Sequence, residues 1–240
     1  MPLINPSIGI ELLQFQGAMP AWFSAFNESV FDDFTGAQVF TNRWTSTTSG
    51  AGSAIAITTG VAEHPGLCEI RAGTAAAGAA QIIGAFPASA LILPPGRWEF
   101  RVMANLAQLS TVADRFICRM GLSDAAVTGD VTDGVYFEYS DNINGGNWTL
   151  CAAAAAVRTK MNSGAPAVAG SYNEFSARGN VGSSEISYYI DDVLLGSVTA
   201  TIPTAATNMI PGQMLKSAGA ITRSLFLDYW WYAYSFTTGR

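Results

Sequence analysis

The chain has 240 residues, 49% of them apolar and only 12% charged, with a formal net charge of −6. That length suits one large all-β domain, and so apolar a chain excludes wholesale disorder. An acidic balance without any Lys/Arg cluster excludes nucleic acid and anionic membrane as expected partners, and a single histidine, His64, excludes multi-histidine metal sites.

Residues 1–36 differ in character from the rest of the chain. Their periodicity is weak and Pro2, Pro6 and Pro20 interrupt them, yet they carry Leu12, Leu13, Phe15, Trp22, Phe23 and Phe26. An apolar segment too irregular to form its own domain has to be buried against something else. It is either a strap across its own fold or an arm that docks on another subunit, and its terminal position and length favour the arm. The start lacks a basic region and Glu11 breaks its first apolar run, so no signal peptide is expected. No stretch approaches the roughly 18 uninterrupted apolar residues of a membrane span. The expectation is a soluble protein made in the cytoplasm.

From residue 37 onward, period-two alternation dominates. Strands are expected near 39–45, 54–58, 67–72 and 81–86, followed by a turn at Pro94-Pro95-Gly96. Between 98 and 106 the apolar side chains are Trp98, Phe100, Val102, Ala104 and Leu106, with Glu99, Arg101 and Asn105 opposite. Phe116, Cys118, Met120 and Leu122 repeat the pattern, as do Val135, Phe137 and Tyr139. A turn is expected at Asn144-Gly145-Gly146-Asn147, then a strand over 148–156. Its alanine run tempts a helix assignment by propensity, but strand-like flanks favour a strand. Further strands are expected at 172–177, 186–190, 193–198, 213–216 and 225–234. Asp191-Asp192 reads as a two-residue hairpin turn, although Gly would suit its positive φ angles better, and Pro211-Gly212 reads as another turn. Short strands with regular turns and scarce helix predict an all-β fold, an antiparallel β-sandwich or jelly roll over 37–240, with 1–36 as an N-terminal arm.

Chemistry is thinly signalled. Glycoside hydrolysis needs two carboxyl groups facing one cleft, which along a strand means acids at i and i+2 or i+4. Glu138 has Ser140 at i+2, Glu99 has Arg101 and Glu185 has Ser187, so no such pair is visible. A G-x-S-x-G elbow is absent, and His64 precedes Pro65-Gly66, a turn setting that predicts a surface histidine rather than a base. The Asx-rich segment 141–147 lacks the spacing of a calcium loop and predicts a turn. Cys68, Cys118 and Cys151 are far apart and odd in number, without CxxC spacing, and the latter two lie in apolar runs typical of buried free thiols. No cofactor and no metal is expected, nor any enzymatic activity. The remaining binding signal is aromatic: Trp230, Trp231 and Tyr232 crowd the last strand, where neighbours face opposite sides. They are expected to serve the core plus a subunit interface, or a carbohydrate platform.

A series of segments carries a likeness to a known family. It comprises His64-Pro65-Gly66 before a strand ending at Arg71, Gly73-Thr74, Tyr136-Phe137-Glu138-Tyr139-Ser140 and Asn144-Gly145-Gly146-Asn147-Trp148-Thr149-Leu150. It continues through Tyr188-Tyr189-Ile190-Asp191-Asp192-Val193-Leu194, Thr201-Ile202-Pro203, Lys216-Ser217-Ala218-Gly219 and Leu225-Phe226-Leu227-Asp228-Tyr229. In order and spacing this resembles a concanavalin A-like jelly-roll domain of structural proteins in tailed bacteriophages, such as tail fibres, head fibres and capsid-decorating proteins. Asp191-Asp192 replaces the usual Asp-Gly hairpin, and the strand after Trp148 is unusually rich in alanine. The resemblance implies a lectin-like fold on a virus particle without a defined activity. The chain is too short for fibre shaft and attachment modules, so the expectation is a capsid-decoration (cement) protein on the virion exterior. The major capsid protein and sister subunits would be its partners, in a homo-oligomer with a trimer favoured. The alternative is a tail- or head-fibre protein that recognises host-surface carbohydrate.

Overall fold

A computed structural model of the chain describes residues 28–35, 44–84, 93, 97–140, 143–179, 185–203, 205 and 207–235. The expected arm residues Leu12, Leu13, Phe15, Trp22, Phe23 and Phe26, and the turn at 94–96, lie outside the described residues. Among the described residues the fold is two antiparallel sheets packed face to face, with one short 3₁₀ turn at Ile143–Gly146.

The elements in chain order are β1 (Glu28–Asp32), β2 (Trp44–Ser49), β3 (Ala54–Val61), β4 (His64–Ala72), β5 (Ala79–Gly84), β6 (Arg97–Leu106), β7 (Phe116–Ser123) and β8 (Gly134–Ser140). They continue as β9 (Asn147–Ala154), β10 (Val157–Pro166), β11 (Asn173–Gly179), β12 (Ile186–Ile190), β13 (Val193–Val198), β14 (Asn208–Lys216) and β15 (Arg223–Ser235). One sheet runs β13-β12-β11-β6-β15-β4-β3, with β1 also paired to β15; the other runs β10-β9-β8-β7-β14-β5-β2. We call them the front and back sheets.

The alternation read from the sequence sets which side chains meet between the sheets. Trp98, Phe100, Val102, Ala104 and Leu106 of β6 face Phe116, Cys118, Met120 and Leu122 of β7 and Val135, Phe137 and Tyr139 of β8 in one core. An aromatic chain threads it. Trp44 meets Trp230 edge to face at 6.5 Å, Trp230 stacks on Phe100 at 5.4 Å, and Phe137 touches Phe100, Phe175 and Tyr188. Cys68, Cys118 and Cys151 are free thiols, all buried.

Four expectations need correction. The boundary at residue 36 falls too late: Glu28–Asp32 is a strand of the front sheet, and Phe34 is fully buried in the core. The strand expected to run to residue 156 ends at Ala154. Ala155 and Ala156 take φ of 48° and 66°, making a two-residue hairpin turn into β10, a strand the sequence pattern did not predict. Pro211 and Gly212 do not turn the chain. They face the single residue Met120 as a bulge inside β14, because the register passes from Ile210↔Gly121 to Gln213↔Arg119. A Cβ on Gly212 would sit 2.4 Å from the tip of the Ile70 side chain and 2.8 Å from that of Leu225, so any larger residue must displace both.

The fourth concerns Trp230, Trp231 and Tyr232. Trp230 and Tyr232 point into the core, while Trp231 lies on the outer face of the front sheet, in register with Phe31 of β1 and Arg101 of β6. All three are buried, so they form neither an exposed platform nor a free contact surface. β1 extends the sheet along β15, so Trp231 has Phe31 on one side and Arg101 on the other.

Candidate functional site

Alternation that sends apolar residues inward sends polar ones to the two outer faces. On the back sheet, Arg119, Glu138 and Gln213 lie side by side on β7, β8 and β14. Glu138 accepts from Arg119 Nε at 2.9 Å and Lys160 Nζ at 2.5 Å. Arg119 reaches on to Asp130 at 2.7 Å and to the Gly129 carbonyl at 2.9 Å. These bonds tie the β7–β8 connection over the sheet, where Ala125 and Val131 close a small apolar cluster with Tyr136, Cys151, Ala153 and Ile210. This face is filled and braced.

The front sheet carries two adjoining polar groups. In the first, Arg101 Nε lies 2.7 Å from Glu99, and its Nη1 contacts both Glu174 and Asp192, the latter at 3.2 Å. Arg178 lies 2.9 Å from Glu99 and stacks over the Tyr189 ring at 4.3 Å. Tyr229 donates its hydroxyl to Glu174. Glu99 and Arg101 are buried despite facing away from the core, which charged side chains tolerate only when paired. The hairpin acids belong here too. Asp191 and Asp192 take φ of 51° and 60°, as a two-residue turn needs. Asp191 accepts from the Glu174 amide and the Asn173 side chain, and Asp192, at the position glycine usually holds, meets Arg101 and Arg178.

Glu99 and Glu174 therefore meet across neighbouring strands rather than along one, which a search of i and i+2 positions misses. The Arg101 guanidinium stands between them, where a scissile glycosidic bond would have to lie. The pair is built for bracing.

The second group is the candidate site. The ladder of β4 with β15 stops at Cys68↔Leu227, and from there β4 pairs only with β3. At that fork β15 is bulged: Leu227 pairs with Ala104 and Tyr229 with Met103, which leaves Asp228 as the extra residue. A bulge re-aims a side chain, and this one brings the Asp228 carboxylate to His64. His64 Nδ1 lies 2.7 Å from Asp228 Oδ2, and the imidazole stacks on Tyr172 at 3.9 Å between ring centres. Asn105 is the outward residue of β6 beside them; burial first, and then the Asp228 charge, raise the Tyr172 phenol above its ordinary range. Asn105 is 8% exposed, and its Oδ1 meets no donor among the described residues. The half-buried rings of Tyr229 and Phe31, stacked at 6.0 Å, continue the face.

His64 is thus neither a turn residue nor freely exposed; its side chain retains 18% of its surface. The sequence carried one sign of this arrangement. Inward residues of β15 switch from odd (Leu225, Leu227) to even (Trp230, Tyr232) across Asp228-Tyr229, as a bulge requires. Among the described residues, no cluster of three His, Cys, Asp or Glu is placed to hold a metal ion. The turn at 143–146, with Asn144 and Gly145 both at positive φ, closes on Thr149 through the Asn144 side chain.

Comparison with known proteins adds a family. A family model described as SO2946-like, C-terminal domain, matches residues 63–228, a span that contains His64, Asn105, Tyr172 and Asp228. No curated protein sequence matches the chain. Among solved structures, SO2946, a protein of unknown function from Shewanella oneidensis MR-1, superposes with a TM-score of 0.64 at 14% identity, over 100% of this chain and 98% of that one. The carbohydrate recognition domain of Emp47p gives 0.59 at 11% identity over 87% and 95%. An endo-1,3-beta-glucanase from Streptomyces sioyaensis gives 0.58 at 12% over 91% and 99%. At these identities the likeness is one of fold, and the fold is the concanavalin A-like jelly roll.

Proposed function

The chain belongs to the SO2946-like C-terminal domain family, and from that premise we propose that it is a non-enzymatic structural protein of a bacteriophage particle, a decoration protein that cements the capsid exterior. One observation carries the reading. Glu28 and Tyr234 are register partners, so the start of β1 and the finish of β15 lie at one end of the sandwich. An apolar segment leading into β1 at that end would attach there and leave the rest of the sandwich displayed. The braced outer faces support the same reading, because their charged groups are spent on one another.

In this account Leu12, Leu13, Phe15, Trp22, Phe23 and Phe26 bury against the major capsid protein and sister subunits, a trimer being the favoured assembly. Each large apolar side chain so buried contributes about 1.5–3 kcal/mol. The test is full-length protein added to undecorated capsids, beside a full-length variant with Leu12→Ser, Phe15→Ser and Trp22→Ser. The account expects saturable binding by the first and its loss in the second, with unchanged melting. Equal binding by both would overturn it.

A second reading, recognition of host-surface carbohydrate, is supported by the polar and aromatic group around His64 and by the structural likeness to the Emp47p domain. It does not use Trp230, Trp231 or Tyr232, which are buried.

A further inference from the structure

We infer that His64, Asp228, Asn105 and Tyr172 form a binding subsite for an uncharged saccharide on the outer face of the front sheet. The inference rests on the carbohydrate reading above and gives it a location.

The chemistry follows from which hydrogen-bond roles are already filled. Nδ1 faces Asp228 Oδ2, and in the tautomer that donates from Nδ1 to that oxygen Nε2 is an acceptor. Nε2 and Asp228 Oδ1 make no hydrogen bond among the described residues. Asn105 lies beside Tyr172, and its Oδ1, on a side chain more than nine-tenths buried, is an acceptor without a donor among those residues. A buried oxygen in that state costs about 1–3 kcal/mol and calls for a donor. The group therefore offers several acceptors and asks for donors.

Two classes of ligand engage several acceptors at once: cations, by coordination, and polyols, by hydroxyl donors. A cation would draw the oxygens and the nitrogen onto one point, but His64 turns Nδ1, not Nε2, toward the carboxylate. The acceptors are spread around the stacked His64–Tyr172 pair, with the rings of Tyr229 and Phe31 beside them. Hydroxyl donors spaced around a ring with an apolar C–H face match that distribution, and that is the chemistry of a pyranose. The four side chains of the subsite include no Lys or Arg to meet a carboxylate, which favours a neutral sugar over an acidic one.

His64 is the only histidine of the chain, so its imidazole resonances are a unique reporter. The experiment screens the full-length protein on a glycan array of neutral, acidic and bacterial surface saccharides. The best binder is then titrated while the His64 Cε1–H signal is followed by NMR. The inference expects a neutral saccharide to bind and to shift that signal saturably. It expects Asn105→Leu and His64→Gln to weaken binding about tenfold each with folding unchanged. If either variant fails to fold, the shift of the native His64 signal decides alone. A saccharide that binds without moving His64 would overturn this subsite and leave the carbohydrate reading standing. A shift produced by calcium chloride but by no saccharide would replace the sugar with a cation. No binding anywhere on the array would remove both the subsite and the carbohydrate reading.

Discussion

Nδ1 of His64 lies 2.7 Å from Oδ2 of Asp228, a partner 164 residues later in the chain. The contact joins the first residue of β4 to the bulge of β15, at the fork where β4 leaves the ladder and β1 takes its place. It therefore ties β4 to β15 beyond the end of their ladder, as well as shaping the candidate site. Asp228→Ala should lower stability by about 1–2 kcal/mol, because a largely buried imidazole then loses its acceptor. Urea unfolding measures this, and an unchanged midpoint would show that the pair contributes no stability.

Asp32 makes a comparable tie at the other side of the fork. One carboxylate oxygen accepts from the Phe34 amide and the other from Trp44 Nε1, both at 2.8 Å. Asp32→Ala should cost about 3 kcal/mol, since it strands a buried indole donor and a buried amide. A chain shortened to begin at residue 28 should melt close to the full chain. One that begins at residue 37, without β1, should lose most of its stability. Equal melting of the two shortened chains would contradict the placement of β1 in the sheet.

Glu69 makes the fold acid-sensitive. Burial pushes its carboxyl up, but hydrogen bonds from Arg71 and Ser224 and the Arg71 charge together outweigh burial and hold it below its ordinary value of 4.5. A carboxyl depressed in the folded state contributes stability that is present above the unfolded value and lost as pH falls through the folded one. The stability gap between the native protein and Glu69→Gln should therefore shrink between about pH 6 and about pH 3. Denaturation at several pH values measures it, and a gap that widened in acid would contradict the assignment.

The hairpin at Ala155 and Ala156 is strained by its own sequence. Both residues sit in the left-handed region, which costs an ordinary side chain about 1–2 kcal/mol. Replacing the pair by Asn-Gly, the preferred residues of such a turn, should raise the melting temperature by about 3–6 °C. The backbone bonds from this turn to Asp133 and Thr132 would survive the change. A lower melting temperature would mean that the alanine side chains are needed for packing.

Sequence alternation identified most of the sandwich because the buried face of each central strand is apolar. The strands Ile186–Ile190 and Val193–Val198 were legible to the residue. β10 was not, because it is an edge strand whose inward positions are Thr159, Met161, Ser163 and Ala165, and whose end carries Gly164 and Pro166. Those features keep an open edge from pairing further, and they also erase its pattern. Bulges hid the rest. Pro211-Gly212 looked like a turn because the fold uses turn residues inside a strand. The bulge at Asp228 left one trace, the switch of inward residues from odd to even, but the strand fork that brings His64 to it has no local composition. At Trp230–Tyr232 the alternation was legible, since Trp230 and Tyr232 enter the core and Trp231 faces away, but the strand that places Phe31 beside Trp231 comes from the segment read as an arm.

The central claim is that this chain is carried on the capsid exterior of a bacteriophage particle. Quantitative mass spectrometry of purified particles tests it most directly, by the ratio of this chain to the major capsid protein. The account predicts a copy number comparable to that of the shell subunits. Absence from the particle, or a handful of copies confined to the tail, would contradict it.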